Sequence, residues 1–154
     1  MRPKRNQTNY IVVHCSATKA SQDMVGADTI DIWHKNRGWQ GIGYHIVIKR
    51  NGVVQFGEPI DNRGAHVKGH NYESVGVCLV GGLDENGKAE NNFTKRQFES
   101  LEVVLISLAS KYPEAEILGH RDLSPDQNND GVIESWEWMK ECPCFDVREW
   151  LNRV

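Results

Sequence analysis

The stretch from Gly119 to Asp146, GHRDLSPDQNNDGVIESWEWMKECPCFD, gathers two kinds of metal ligand. His120, Cys142 and Cys144 offer the nitrogen and sulfur atoms that suit zinc. Between them lies Asp126-x-Asn128-x-Asp130-Gly131, with Glu137 six residues further on, which is the spacing of a calcium loop. In that loop Asp126, Asn128 and Asp130 supply the first three oxygens and Gly131 makes the sharp turn. Val132 offers its carbonyl, Glu134 follows, and Glu137 takes the bidentate place at the end. A catalytic zinc takes three protein ligands and keeps a fourth position for water. His14, at the end of an apolar run, makes such a trio with His120 and Cys142. These ligands are dispersed along the chain, so spacing alone does not separate them from ordinary polar histidines and small buried cysteines. Cys144 points the same way as Cys142 if the segment is extended, and Cys15 points opposite to His14 if its strand is regular.

The elements that must position these groups can be read from pattern. Tyr10 to Cys15 is β-branched and apolar, a buried strand that ends at His14 and Cys15. Residues 28–37 read as a helix capped by Asp28 and stopped at Gly38. Tyr44 to Lys49 is a strand, Asn51-Gly52 a hairpin turn, and Val53 to Phe56 the return. Ser74 to Val80 is a further strand. Thr94 to Tyr112 is the clearest helix: Phe98, Leu101, Leu105 and Leu108 share one face, Thr94 and Gln97 form a capping box, and Pro113 stops it. Glu116 to Leu118 is a short strand that delivers His120, and Asp146 to Leu151 a final short helix. A single α/β domain follows, with a central mixed β-sheet flanked by helices and an EF-hand-like loop inserted at about residues 124–139. Residues 1–9 read as a basic flexible tail and 10–154 as the domain.

Composition bounds the function. With 154 residues the chain is one domain with room for a sizeable core. Its 18 basic and 21 acidic residues give a net charge of −3, which speaks against nucleic acid as a partner. No apolar run is long enough for a membrane segment, and no secretory signal is visible, so synthesis in the cytoplasm is expected. Four cysteines do not make a disulfide framework.

Six segments, VVHCSAT, WHKNRGWQGIGYHIVIKRNG, AHVKGHNYESVGVCLVGG, FTKRQFESL, GHRD and KECPCFD, occur in this order. Together they resemble the zinc-dependent N-acetylmuramoyl-L-alanine amidases, the fold shared with peptidoglycan recognition proteins. Within that family the likeness is to the small amidase-type lysozymes of T-odd phages. The resemblance implies zinc ligands at His14, His120 and Cys142, a catalytic tyrosine at Tyr44 and a catalytic lysine at Lys140. It implies substrate contacts at His66 and Asn71. The activity implied is hydrolysis of the amide between the lactyl group of N-acetylmuramic acid and L-alanine by zinc-activated water. Peptidoglycan or muropeptides are then the partners, met after release from the cell, and a monomer is expected. The alternative is a non-catalytic peptidoglycan-binding module of the same fold; recognition proteins of that kind lack the cysteine ligand, so Cys142, Tyr44 and Lys140 together favour the enzyme. The chain departs from the phage pattern in two places, Cys144 and the insert. Pro125 precludes an entering helix, so the insert is expected to be a loop followed by a short helix, Ser135 to Lys140, folded by a structural calcium.

Overall fold

The computed structural model describes residues 2–154. Seven strands and three helices follow the order β1 (Tyr10–Cys15), β2 (Thr18–Lys19), α1 (Ala27–Asn36), β3 (Ile46–Ile48), β4 (Val54–Phe56), β5 (Ser74–Leu79), β6 (Gly82–Leu83), α2 (Lys95–Lys111), β7 (Glu116–Gly119) and α3 (Val147–Leu151). The main sheet runs β4-β3-β5-β1-β7, and β2 pairs with β6 in a small second sheet. Within the main sheet of the described residues, β3 and β4 pair antiparallel and the other neighbours pair parallel.

Alternation along β1 divides the molecule into two faces. Ile11 and Val13 join Val75, Val77 and Leu79 of β5 under Leu101, Leu105 and Leu108 of α2. This face is the larger core. Val12 packs with Val67 and Leu118 on the opposite face, where Val47 and Cys78 meet Ile30 of α1. His14 follows Val12 by two residues, so the pleat sends it to the α1 face at the carboxyl end of the central strand. In the parallel register Val12 faces Gly76 and His14 faces Cys78.

Several ends differ from the sequence expectation. Asp28 lies inside α1: Gly26 is the N-cap, and Gln55 Oε1 accepts from the Ala27 amide at 2.7 Å. At α2 the capping box of Thr94 and Gln97 forms as the pattern requires. The Ser135–Lys140 helix is reduced to one 3₁₀ turn, Ser135–Glu137. Glu137 folds back on the loop instead of extending a helix, accepting from the Gln127 and Glu134 amides. Residues 2–9 are not a free tail. Arg2 pairs with Glu58 at 3.1 Å and donates to the carbonyl of Gly41, while Arg5 donates to the carbonyls of Ile60 and Asn62. Guanidinium forks satisfy several loop carbonyls at once, which ties the segment down.

Candidate active site

Three ligand atoms, one each from His14, His120 and Cys142, lie within 4.8 Å of one another. They come from three places in the chain. His14 is fixed by the β1 ladder. His120 opens a 3₁₀ turn, His120–Leu123, which Asp122 caps by accepting from the Gly119 amide at 2.8 Å. Cys142 is tied to both neighbours: its carbonyl accepts from the Arg121 amide at 3.0 Å, and its Sγ accepts from the Cys15 amide at 3.1 Å. The His14 Nδ1 faces Cys142 Sγ at 3.9 Å. Burial, with help from neighbouring His66 and His120, holds the His14 imidazole well below its usual range. Burial first and Lys140 second push His120 down to about 4. Both rings are therefore neutral near pH 7, with a lone pair free for a cation.

The trio forms the floor of a cavity of about 600 Å³. Tyr44 lines it, with its ring 5.1 Å from the His14 ring. Burial, then nearby Cys78, raises the Tyr44 phenol well above its usual range, so it remains a hydroxyl that can donate. Lys140 reaches the same cavity from the end of the insert. Arg37, Lys68 and Arg121 add further positive charge around the wall. Arg37 lies over the Trp39 ring at 5.5 Å, and Arg121 over Trp138 of the insert at 3.9 Å. The sequence reading missed this basic mouth because its members are scattered and each passes for a solvated surface residue.

His66 and Asn71 both line the cavity, and each also bonds within the protein. His66 is 9% exposed, and its Nδ1 meets His14 Nε2 at 2.8 Å. Asn71 spends its carbonyl oxygen on the amides of His66 and Val67, at 2.9 and 3.0 Å. His45 is buried on the sheet, accepting from the Gly76 amide at 3.0 Å. Cys144 does not face the trio. Its segment is turned, not extended: φ is 74° at Cys144, and its amide donates to Glu141 at 2.7 Å. Its thiol points to the Gly82 carbonyl at 3.4 Å.

The insert closes on itself. Carboxylate oxygens of Asp126, Asp130 and Glu137 come within 4.8 Å of one another. Asp126 accepts from the Gly131 amide, Asp130 from Val132, and Glu137 from both Gln127 and Glu134. Glu137 is 1% exposed, and one oxygen each of Asp126 and Glu134 is buried without a partner. Hydrogen bonding to Glu137, then to Asp130, pushes the Glu134 carboxyl up to about 7. Asn128 donates to Asp130 at 3.3 Å, and Val132 is exposed.

Comparison with known proteins agrees with this geometry. The family model for N-acetylmuramoyl-L-alanine amidase matches residues 4–144. The endolysin of Enterobacteria phage K11 is 46% identical over 149 residues, covering 97% of this chain and 89% of the relative. The endolysin of Escherichia phage T7 is 44% identical over 150 residues, with the same coverage. Among solved structures, the endolysin N-acetylmuramoyl-L-alanine amidase LysCS from Clostridium intestinale superposes with a TM-score of 0.73 at 27% identity, covering 96% of this chain and 82% of that one. Family match, fold and the converging histidines and cysteine lead to one assignment: this chain belongs to the N-acetylmuramoyl-L-alanine amidase family.

Proposed function

We propose that the chain hydrolyses the amide between the lactyl group of N-acetylmuramic acid and L-alanine in peptidoglycan, with zinc held by His14, His120 and Cys142. The observation that carries this reading is the convergence of those ligand atoms, within 4.8 Å, at the floor of a cavity lined by Tyr44 and Lys140. Two imidazoles and one thiol are a donor set that fits zinc and leaves one tetrahedral place. When bound, zinc supplies Lewis acidity that brings the pKa of water to about 7.

The remaining roles fall to the chain. Tyr44, kept protonated by burial, donates a hydrogen bond to an oxygen at the reacting carbon. Lys140 places a positive charge where negative charge develops on the carbonyl oxygen. The basic mouth suits the carboxylates of a peptide stem, and Asn71 keeps its amide nitrogen for the substrate. All three ligands come from one chain, so a monomer is complete. Among the described residues no helix is long and apolar enough to cross a membrane. The phage relatives carry the name endolysin, and we infer for this chain action on the cell wall after release from the producing cell. Stripping the metal with a strong chelator should abolish hydrolysis, and added zinc should restore it. Cys142→Ser should lose both zinc and turnover. Full activity in metal-free protein would overturn the zinc reading while leaving the family assignment standing.

For the insert we propose a structural calcium bound by Asp126, Asn128, Asp130, the Val132 carbonyl, Glu134 and Glu137. What supports it is the pair of unpartnered buried carboxylate oxygens beside the buried Glu137. Calcium added to zinc-loaded protein should raise Tm, and Glu137→Gln should remove the rise. An unchanged Tm at millimolar calcium refutes it.

A further inference from the structure

The ligand His14 has two ring nitrogens, and only one faces Cys142. Which nitrogen carries the proton decides whether a metal can bind there without first displacing it. The hydrogen bonds behind the ring answer this. His14 Nε2 meets His66 Nδ1 at 2.8 Å, and His66 Nε2 meets Ser74 Oγ at 3.2 Å. Ser74 Oγ also lies 2.8 Å from the carbonyl of His70. A carbonyl oxygen can only accept, so the one hydroxyl proton of Ser74 points at His70. Ser74 Oγ can then only accept from His66, which places the His66 proton on Nε2 and leaves Nδ1 bare. A bare Nδ1 accepts, so His14 carries its proton on Nε2. His14 Nδ1 is left with a lone pair directed at the Cys142 side.

We propose that Ser74 and His66 are positioning residues that fix the tautomer and orientation of His14, so that its Nδ1 is presented as a metal ligand; this rests on the zinc reading above. Metal-binding histidines ordinarily donate their second N–H to a carboxylate, a carbonyl or water. Here a second imidazole takes that place, and a serine takes the place behind it. The site is built for this. His14 is 1% exposed, Ser74 0% and His66 9%, so no solvent competes for the bonds. Room for the His66 ring exists because β5 carries glycine at position 76: a Cβ there would lie 2.6 Å from His66 Cγ and 2.8 Å from Nδ1. The loop side is fixed by Asn71, which holds the amides of His66 and Val67.

Three variants and two readouts test it. In zinc-free protein, two-bond nitrogen–proton NMR spectra should show His14 with its proton on Nε2. His66→Phe removes the acceptor and Ser74→Ala removes the anchor behind it. Each should enlarge the population of His14 protonated on Nδ1. In competition with a chromogenic chelator, zinc affinity should drop by roughly 10–100-fold for His66→Phe, the range for lost outer partners of metal ligands. His66→Asn, whose oxygen can occupy the place of Nδ1, should recover most of that loss. Parent protein with His14 protonated on Nδ1 overturns the proposal. So does parental zinc affinity in both His66→Phe and Ser74→Ala. A parent chain that binds no zinc would instead sink the zinc reading, and the tautomer spectra would still decide this one.

Discussion

Gly76→Ala is the sharpest perturbation the fold offers, because it disturbs the site from behind without touching a ligand. The added methyl would stand 2.6 Å from His66 Cγ, whereas ordinary contacts begin near 3.4 Å. The ring must therefore retreat by about 0.8 Å or the strand must shift, since overlap of that size is not tolerated in a packed interior. Such a retreat is comparable with the whole margin of the 2.8 Å bond to His14, since no hydrogen bond remains at about 3.6 Å. Overpacking of this kind costs about 1–3 kcal/mol, and the lost hydrogen bond adds about 1 kcal/mol. For a chain of this size each kcal/mol lowers Tm by roughly 2–4 °C, so a fall of roughly 4–16 °C is expected. Zinc affinity should fall as well, by roughly tenfold or more. Leu101→Ala is the matched control. Leu101 is fully buried where α2 packs on the opposite face of the sheet, and its loss costs about 2–5 kcal/mol. It should lower Tm as much while leaving zinc affinity near the parental value. The assay is thermal unfolding beside chelator competition on all three proteins. The reasoning is refuted if Gly76→Ala binds zinc like the parent, or if Leu101→Ala weakens zinc to the same degree.

Other consequences can be checked together. Lys140→Met should cut kcat by roughly 10²–10³-fold, the range for lost oxyanion stabilisers, with zinc content intact; unchanged kcat removes Lys140 from the reaction. Cys144→Ser should leave zinc content and turnover unchanged, because its thiol points at Gly82 and not at the trio; lost zinc would place Cys144 in the site. Stability of the metal-free chain should fall with pH. Burial pushes His34 and His45 down to about 4, whereas unfolded histidine titrates near 6.5. Between those values the unfolded chain binds more protons, so stability is held above about pH 6.5 and lost on the way to about pH 4. His45 alone accounts for about 3 kcal/mol at most. A metal-free Tm that does not change across that window contradicts the assignment.

Strand and helix periodicity carried most of the fold. Tyr10–Cys15 and the Thr94 cap were legible because a buried parallel strand and a capping box are local patterns. The β2–β6 pair was not, since two-residue strands leave no periodic trace. At the site, the segments flanking His14, His120 and Cys142 pointed to the family, but their convergence depends on two parallel pairings and a turn at Cys144 that no local pattern encodes. The roles of His66 and Ser74 were hidden for a related reason. Their partners are set by which ring lies over Gly76, a contact between β5 and a loop. The anchored Arg2 and Arg5 were missed because a basic terminus gives no sign of the carbonyls it will meet.

The central claim concerns one bond. Purified zinc-loaded chain should be incubated with a defined N-acetylmuramoyl peptide and the products weighed by mass spectrometry. The expected products are a peptide with a new L-alanine amino terminus and an N-acetylmuramic acid with a free lactyl carboxylate, formed by the parent and not by Cys142→Ser. Intact substrate, or cleavage at a glycosidic or later peptide bond, would contradict it.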